Sequence, residues 1–245
     1  MSNAATGTLV SHLTELRRRL IYIFVSVTLV FAGLFPFANE LYQFVSEPLR
    51  AYMPEGSSMI ATEVASPFLT PFKLSLVLSV IIAVPLILYQ FWAFIAPGLY
   101  RREKRIIAPL MASSITLFYA GMAFCYFVVF PLVFGFFTSV GPEGVTVMTD
   151  INQYLSFVIK LLFAFGIAFE IPVAVFLLAW MGIIDAHKLA NKRPYVIVGC
   201  FTLGMFLTPP DVISQTLLAL PMWLLFEVGS LCARMIQKPS GDSSQ

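Results

Sequence analysis

From Leu20 to Phe37 no charged residue interrupts the chain, and most of its side chains are apolar. A helix rises about 1.5 Å per residue, so a run of this length nearly crosses a hydrocarbon core of about 30 Å. Such runs recur along the whole sequence. A soluble domain carries about 25% charged residues and about 45–50% apolar ones. Here 11% are charged, 59% are hydrophobic and the mean hydropathy is +0.87. One core cannot hide that much apolar surface, whereas a bilayer accepts it as solvent.

The pattern predicts an all-α integral membrane protein with six kinked spans. They cover residues 20–37, 72–95, 107–137, 154–180, 195–207 and 212–233, and make one membrane domain of residues 1–245. The fifth span is short for the hydrocarbon thickness, and a re-entrant helix is its alternative. Residues 38–71 are too mixed to span. They read as an outer cap, with a surface helix over Asn39–Ala51 broken near Pro48. Thr208-Pro209-Pro210-Asp211 reads as a tight turn between the last two spans. Residues 239–245 are polar and read as a disordered tail. Met1 to Thr8 carry no basic residue, so no cleavable signal peptide is expected.

Basic residues fall on one side of these spans. Arg17, Arg18 and Arg19 precede the first. Arg101, Arg102, Lys104 and Arg105 follow the second, Lys188, Lys192 and Arg193 follow the fourth, and Arg234 and Lys238 follow the sixth. The other side holds Arg50, with Lys73 and Lys160 near helix ends, and carries Glu40, Glu47, Glu55, Glu63, Glu143, Asp150 and Asp211. The positive-inside bias places both termini in the cytoplasm.

Inside the spans, Pro85, Pro109, Pro131, Pro172 and Pro221 each remove a backbone donor and favour a bend. Glu170 is the sharpest intramembrane feature. A carboxylate at bilayer depth costs at least about 2.5–3.5 kcal/mol, so it faces a polar cavity, is protonated, or bonds a neighbouring helix. Lys160 lies too far along the same helix for direct pairing, and Glu227 is a shallower carboxylate on the inner side. Cys125, Cys200 and Cys232 lie in apolar stretches without a CxxC pair. The only histidines, His12 and His187, fall outside the spans. No phosphate-binding loop, GxSxG elbow or HExxH helix is present. Neither catalysis nor a cofactor, metal or nucleic-acid partner is therefore expected.

Two acids sit inside basic clusters on the cytoplasmic side: Glu15 in His12-Leu13-Thr14-Glu15-Leu16-Arg17-Arg18-Arg19, and Glu103 in Tyr100-Arg101-Arg102-Glu103-Lys104-Arg105. One reading is internal salt bridging. The other is a receptor for a cationic peptide, because a shielded carboxylate accepts a guanidinium fork.

The opening string His12 to Leu20 resembles the first motif of the TatC family, the multispanning core subunit of the twin-arginine protein translocase. So do Ser66-Pro67-Phe68, the run Tyr89 to Tyr100, Glu103-Lys104-Arg105, Phe165 to Pro172, Lys192-Arg193-Pro194-Tyr195, and Thr208-Pro209-Pro210-Asp211 with Ser214-Gln215. The resemblance runs in order over nearly the whole chain. It implies a concave, glove-shaped six-helix bundle in the bacterial inner membrane. Such a bundle would bind the twin-arginine signal peptides of folded cargo and act with the single-span partners TatB and TatA. It would form a homo-oligomer within a larger complex driven by the proton-motive force. By resemblance, Glu15, Glu103 and Phe94 match the signal-peptide site, and Glu170 matches the carboxylate facing the cavity. Met205, Thr208 and Gln215 match the partner-docking region, and Pro48 and Asp211 match the outer cap.

Two other classes compete. A secondary transporter of small solutes also uses kinked helices and a membrane acid, but needs matching broken helices in two repeats. Gly166 and Pro172 supply one break without a clear counterpart. An intramembrane hydrolase needs a nucleophile–base pair that the sequence lacks.

Overall fold

A computed structural model describes residues 2–52, 59–95, 104–139, 148–185, 188–208 and 212–236. Regular structure among them is helical: α1 (Ser2–Leu34), α2 (Ala38–Tyr52), α3 (Ser66–Ile95), α4 (Lys104–Phe124), α5 (Phe130–Ser139), α6 (Ile151–Ala168), α7 (Ile171–Trp180), α8 (Arg193–Leu207) and α9 (Val212–Ile236). Among the described residues, five stretches are long and apolar enough to cross a membrane: Leu13–Glu47, Ser66–Phe94, Ala108–Phe137, Ile151–Trp180 and Gln215–Met235. The expected fifth span, α8, has 15 residues and a length of about 22 Å.

Helix limits depart from the sequence reading in instructive places. The second span begins at Ser66, not Phe72. Ser66 and Thr70 look like loop residues, yet both are buried on the helix. The surface helix α2 runs unbroken through Pro48, against the expected interruption. A proline removes one donor, and the rest of the ladder carries the helix past it. The first span extends from a helix that starts at Ser2 and closes in a 3-10 turn over Phe35–Phe37. The third span contains a widened π-turn at Cys125–Val129, closed by the Phe130 N–H on the Cys125 carbonyl. Pro131 follows directly. Its missing N–H cannot serve the Phe127 carbonyl, and the wide turn absorbs that defect. The fourth span breaks at Phe169 and Glu170, just ahead of Pro172.

The described residues pack as two compact units, residues 1–47 with 61–115, and residues 48–60 with 116–245. In the first unit, α1 packs along α3 in antiparallel fashion. Phe31 and Phe35 meet Phe72 edge-on at one end, with ring centroids 5.3 and 5.9 Å apart. Arg19 reaches Gln90 and Ala93 at the other end.

In the second unit, α9 packs against α7 and α8. A cluster of Val175, Ala179, Leu189, Phe226 and Ala233 fills the space on the α7 side. Ile60 pairs with the start of α6: its N–H donates to Thr149, and its carbonyl accepts from Ile151. Asp150 caps α6, with Oδ1 accepting from the backbone of Asn152 and Gln153 at 2.9 Å each. That cap supplies two of the N-terminal donors a helix leaves unpaired.

Candidate functional site: a guanidinium cradle and two intramembrane features

Midway along α1, Glu15 and Arg19 hold a set of polar contacts that reaches α3. Glu15 and Arg19 are one helical turn apart, so their side chains share a face. Arg19 Nε donates to Glu15 Oε1 at 3.1 Å, and Nη2 donates to the same oxygen. Arg19 does not stop there. Nη1 donates to Gln90 Oε1 at 3.1 Å, and Nη2 donates to the Ala93 carbonyl at 3.0 Å. One guanidinium therefore meets three acceptors, two of them on α3. The pair is largely shielded, with side-chain exposures of 17% for Arg19 and 26% for Glu15. Phe94, half-buried, follows Ala93 at this edge. Glu103, the second expected acid, lies outside the described residues.

Glu170 occupies the junction of α6 and α7. Its N–H donates to Ile167 and its carbonyl accepts from Ala174. The residue is half-buried, and its Oε1 is shut off from solvent. Small residues fix this junction from two sides. A Cβ on Gly121 would lie 2.5 Å from the Phe165 carbonyl oxygen and 2.9 Å from the Phe169 ring. A Cβ on Gly229 would lie 2.8 Å from Pro172 Cα. Glycine lets α4 and α9 approach the backbone of the broken span closely. Lys160 is exposed on α6.

The expected docking residues gather where α8 meets α9, but they differ in access. Met205 is 49% exposed, Gln215 is half-buried and Thr208 is buried. Thr208 caps α8, its hydroxyl and its N–H both donating to the Gly204 carbonyl, at 3.0 and 2.9 Å. The Thr208 proton is thus spent within its own helix. Gly204 lies against Gln215, whose backbone oxygen would be 3.5 Å from an added Cβ. Between the two helices opens an apolar cleft of about 130 Å³, lined by residues that include Ile197, Phe201, Ala219 and Trp223. At the far end of α8, Arg193 Nη2 donates to Glu227 Oε2 at 2.6 Å. The side chain of Pro48 and all of Asp211 lie outside the described residues.

Sequence reasoning missed the partners that make these groups into sites. Gln90 and Ala93 stand 71 and 74 residues from Arg19, and Glu227 stands 34 from Arg193. The spacing of Glu15 and Arg19 was the one local signal, since four residues apart is the helical pairing distance.

Together, the apolar spans and these polar ends define a multi-pass α-helical membrane protein. A model of the family described as Sec-independent protein translocase protein (TatC) matches residues 11–221. A protein of that description from Azotobacter chroococcum mcd 1 is 68% identical over 221 residues, covering 90% of this chain and 87% of its own. Another from Escherichia coli (strain K12) is 57% identical over 234 residues, covering 96% and 91%. The crystal structure of a "Twin Arginine Translocase Receptor- TatC" superposes with a TM-score of 0.82 at 39% identity, over 91% of this chain and 98% of that one. The chain belongs to the TatC family, whose members are translocase components and not enzymes.

Proposed function

We propose that this chain is the signal-peptide receptor and core subunit of a twin-arginine translocase in the bacterial inner membrane. Both termini are cytoplasmic, which puts the Glu15 end of α1 on the side where cargo arrives. The observation that carries the reading is the shielded Glu15 carboxylate already engaged with a guanidinium, the group a twin-arginine signal presents. Glu103 is the second acid of this site and Phe94 its apolar neighbour. A similar crystal structure, described as that of a twin-arginine translocase receptor, supports the same role.

The rest of the reading follows from the family. Met205 and Gln215 dock a single-span TatB or TatA helix at the α8–α9 edge, with Met205 as the accessible contact and Gln215 as the polar one, and the buried Thr208 shapes that edge by capping α8. Pro48 and Asp211 shape the outer cap, and Glu170 serves cargo passage, which the proton-motive force drives. Several copies assemble within the complex.

The test is binding of a signal peptide to the purified protein. A peptide with paired arginines should crosslink or bind, and its Lys-Lys counterpart should not. Hydrogen bonds to charged groups contribute about 1.5–3 kcal/mol, so Glu15→Gln should weaken binding roughly ten- to a hundredfold. At position 103, retention should fall in the order Asp, Gln, Ala, Lys, since Lys adds repulsion. Equal binding of the two peptides would refute the receptor role.

A further inference from the structure

The three acceptors around Arg19 are laid out for a guanidinium, and nothing about them requires that the guanidinium belong to this chain. A carboxylate oxygen takes two of its nitrogens, an amide oxygen on α3 takes a third direction, and the Ala93 carbonyl takes a fourth bond. An ammonium has three donors on one nitrogen and no planar fork, so it cannot satisfy acceptors spread this way. We infer that Glu15, Gln90 and the Ala93 carbonyl form one guanidinium cradle, that Arg19 fills it at rest, and that an arginine of the signal peptide takes Arg19's place.

This rests on the receptor reading and adds two things to it. Gln90 and the Ala93 carbonyl become binding groups of that site. Arg19 becomes an internal competitor that sets the threshold for entry. A lysine pair gains too little from the same acceptors to displace Arg19, so competition sharpens the preference for arginine without any further contact. The displaced Arg19 lies beside the exposed Arg17 and Arg18, midway along α1. Occupancy by an internal side chain lowers apparent affinity by the fraction of molecules in which the cradle is open.

The experiment measures affinity of a twin-arginine peptide for the purified full chain in detergent, with thermal melts alongside. Arg19→Gln should bind about tenfold more tightly than wild type, because the cradle no longer has to be emptied. Arg19→Lys should gain a few-fold, and it also covers the case in which Arg19→Gln does not fold. Gln90→Leu is read in the Arg19→Gln background, where loss of the competitor cannot mask loss of the acceptor, and there it should weaken binding about tenfold. Unchanged or weaker binding in both Arg19 variants overturns the inference. Glu15→Gln separates the two failures. If it binds as wild type does, the receptor reading falls and this inference with it. If it loses the peptide while the Arg19 variants gain nothing, the inference alone falls.

Discussion

The first span and the fourth are held in place by opposite means. None of the most apolar stretch of the first span is buried within the chain, whereas 39% of that of the fourth is. α1 and the turn after it are fastened to α3 at two places, by the Arg19 bonds midway along α1 and by the Phe31, Phe35 and Phe72 rings near its C-terminus. The α6–α7 span is instead pressed between helices that carry glycine at the contact. The two arginine–glutamate pairs repeat the contrast. Glu15 and Arg19 pair within one helix, so their mutual bond holds no tertiary structure, whereas Arg19's further bonds do. Arg193 and Glu227 pair between helices, so that bond itself ties the short α8 to α9. A bond within one helix can be exchanged without parting two helices. One that ties two helices cannot.

The sharpest way to break this comparison is to add one methyl group to each region. Gly121→Ala drives a Cβ into the Phe165 carbonyl, where backbone cannot yield. Overpacking of this kind costs about 1–3 kcal/mol. Gly33→Ala in α1 meets nothing within 4 Å. It should hold or raise stability, since alanine is favoured over glycine in a helix by about 1 kcal/mol. Thermal melts in detergent should show a clear drop for the first and none for the second. Equal drops would mean that α1 is as tightly packed as the fourth span.

Removing one carboxylate from each pair is a smaller perturbation. Glu227→Leu leaves the Arg193 guanidinium facing an apolar contact and unties α8. For a pair with side chains 45% and 23% exposed, a small drop in melting temperature is expected. Signal-peptide affinity should not change. Glu15→Gln should do the reverse, losing peptide with a melting temperature close to wild type, because pairs of this spacing contribute only about 0.3–0.5 kcal/mol. A melting loss for Glu15→Gln larger than that for Glu227→Leu would invert the assignment.

How much of this was legible in the sequence depends on the distance over which each feature acts. Apolar runs act locally, so the five long spans and the short fifth in chain order could be read directly. Their ends could not be, where small polar residues are buried: Ser66 and Thr70 carry the grammar of a loop and sit inside α3. Pro172 announced a break, which the structure places at Phe169 and Glu170. Glu15 was visible as an acid among bases, and the structure bears out the salt-bridging reading, with Arg19 as its partner; the receptor reading stays a proposal. The cradle was not visible, because Gln90 and Ala93 come from a different helix. No periodicity within α1 encodes which carbonyl of α3 will lie beside it.

Reversing the two charges in each pair gives the smallest net effect where the bond is the tie, and so tests the contrast most finely. Arg193→Glu with Glu227→Arg keeps one guanidinium and one carboxylate between α8 and α9. Each single change places like charges together, and the double change restores an attractive pair. A double-mutant cycle should therefore recover most of the stability lost in the singles. The same exchange at Glu15 and Arg19 also restores a pair at helical spacing, yet it should recover little. A glutamate at position 19 would point its oxygens at the Gln90 oxygen and the Ala93 carbonyl, which are acceptors and repel it. The amide of Gln90 can turn to offer its nitrogen, but the backbone carbonyl of Ala93 cannot turn. Melting curves for both cycles decide the matter. Full recovery at positions 15 and 19 would mean that the α3 acceptors contribute nothing, and that the arginine there is held by Glu15 alone.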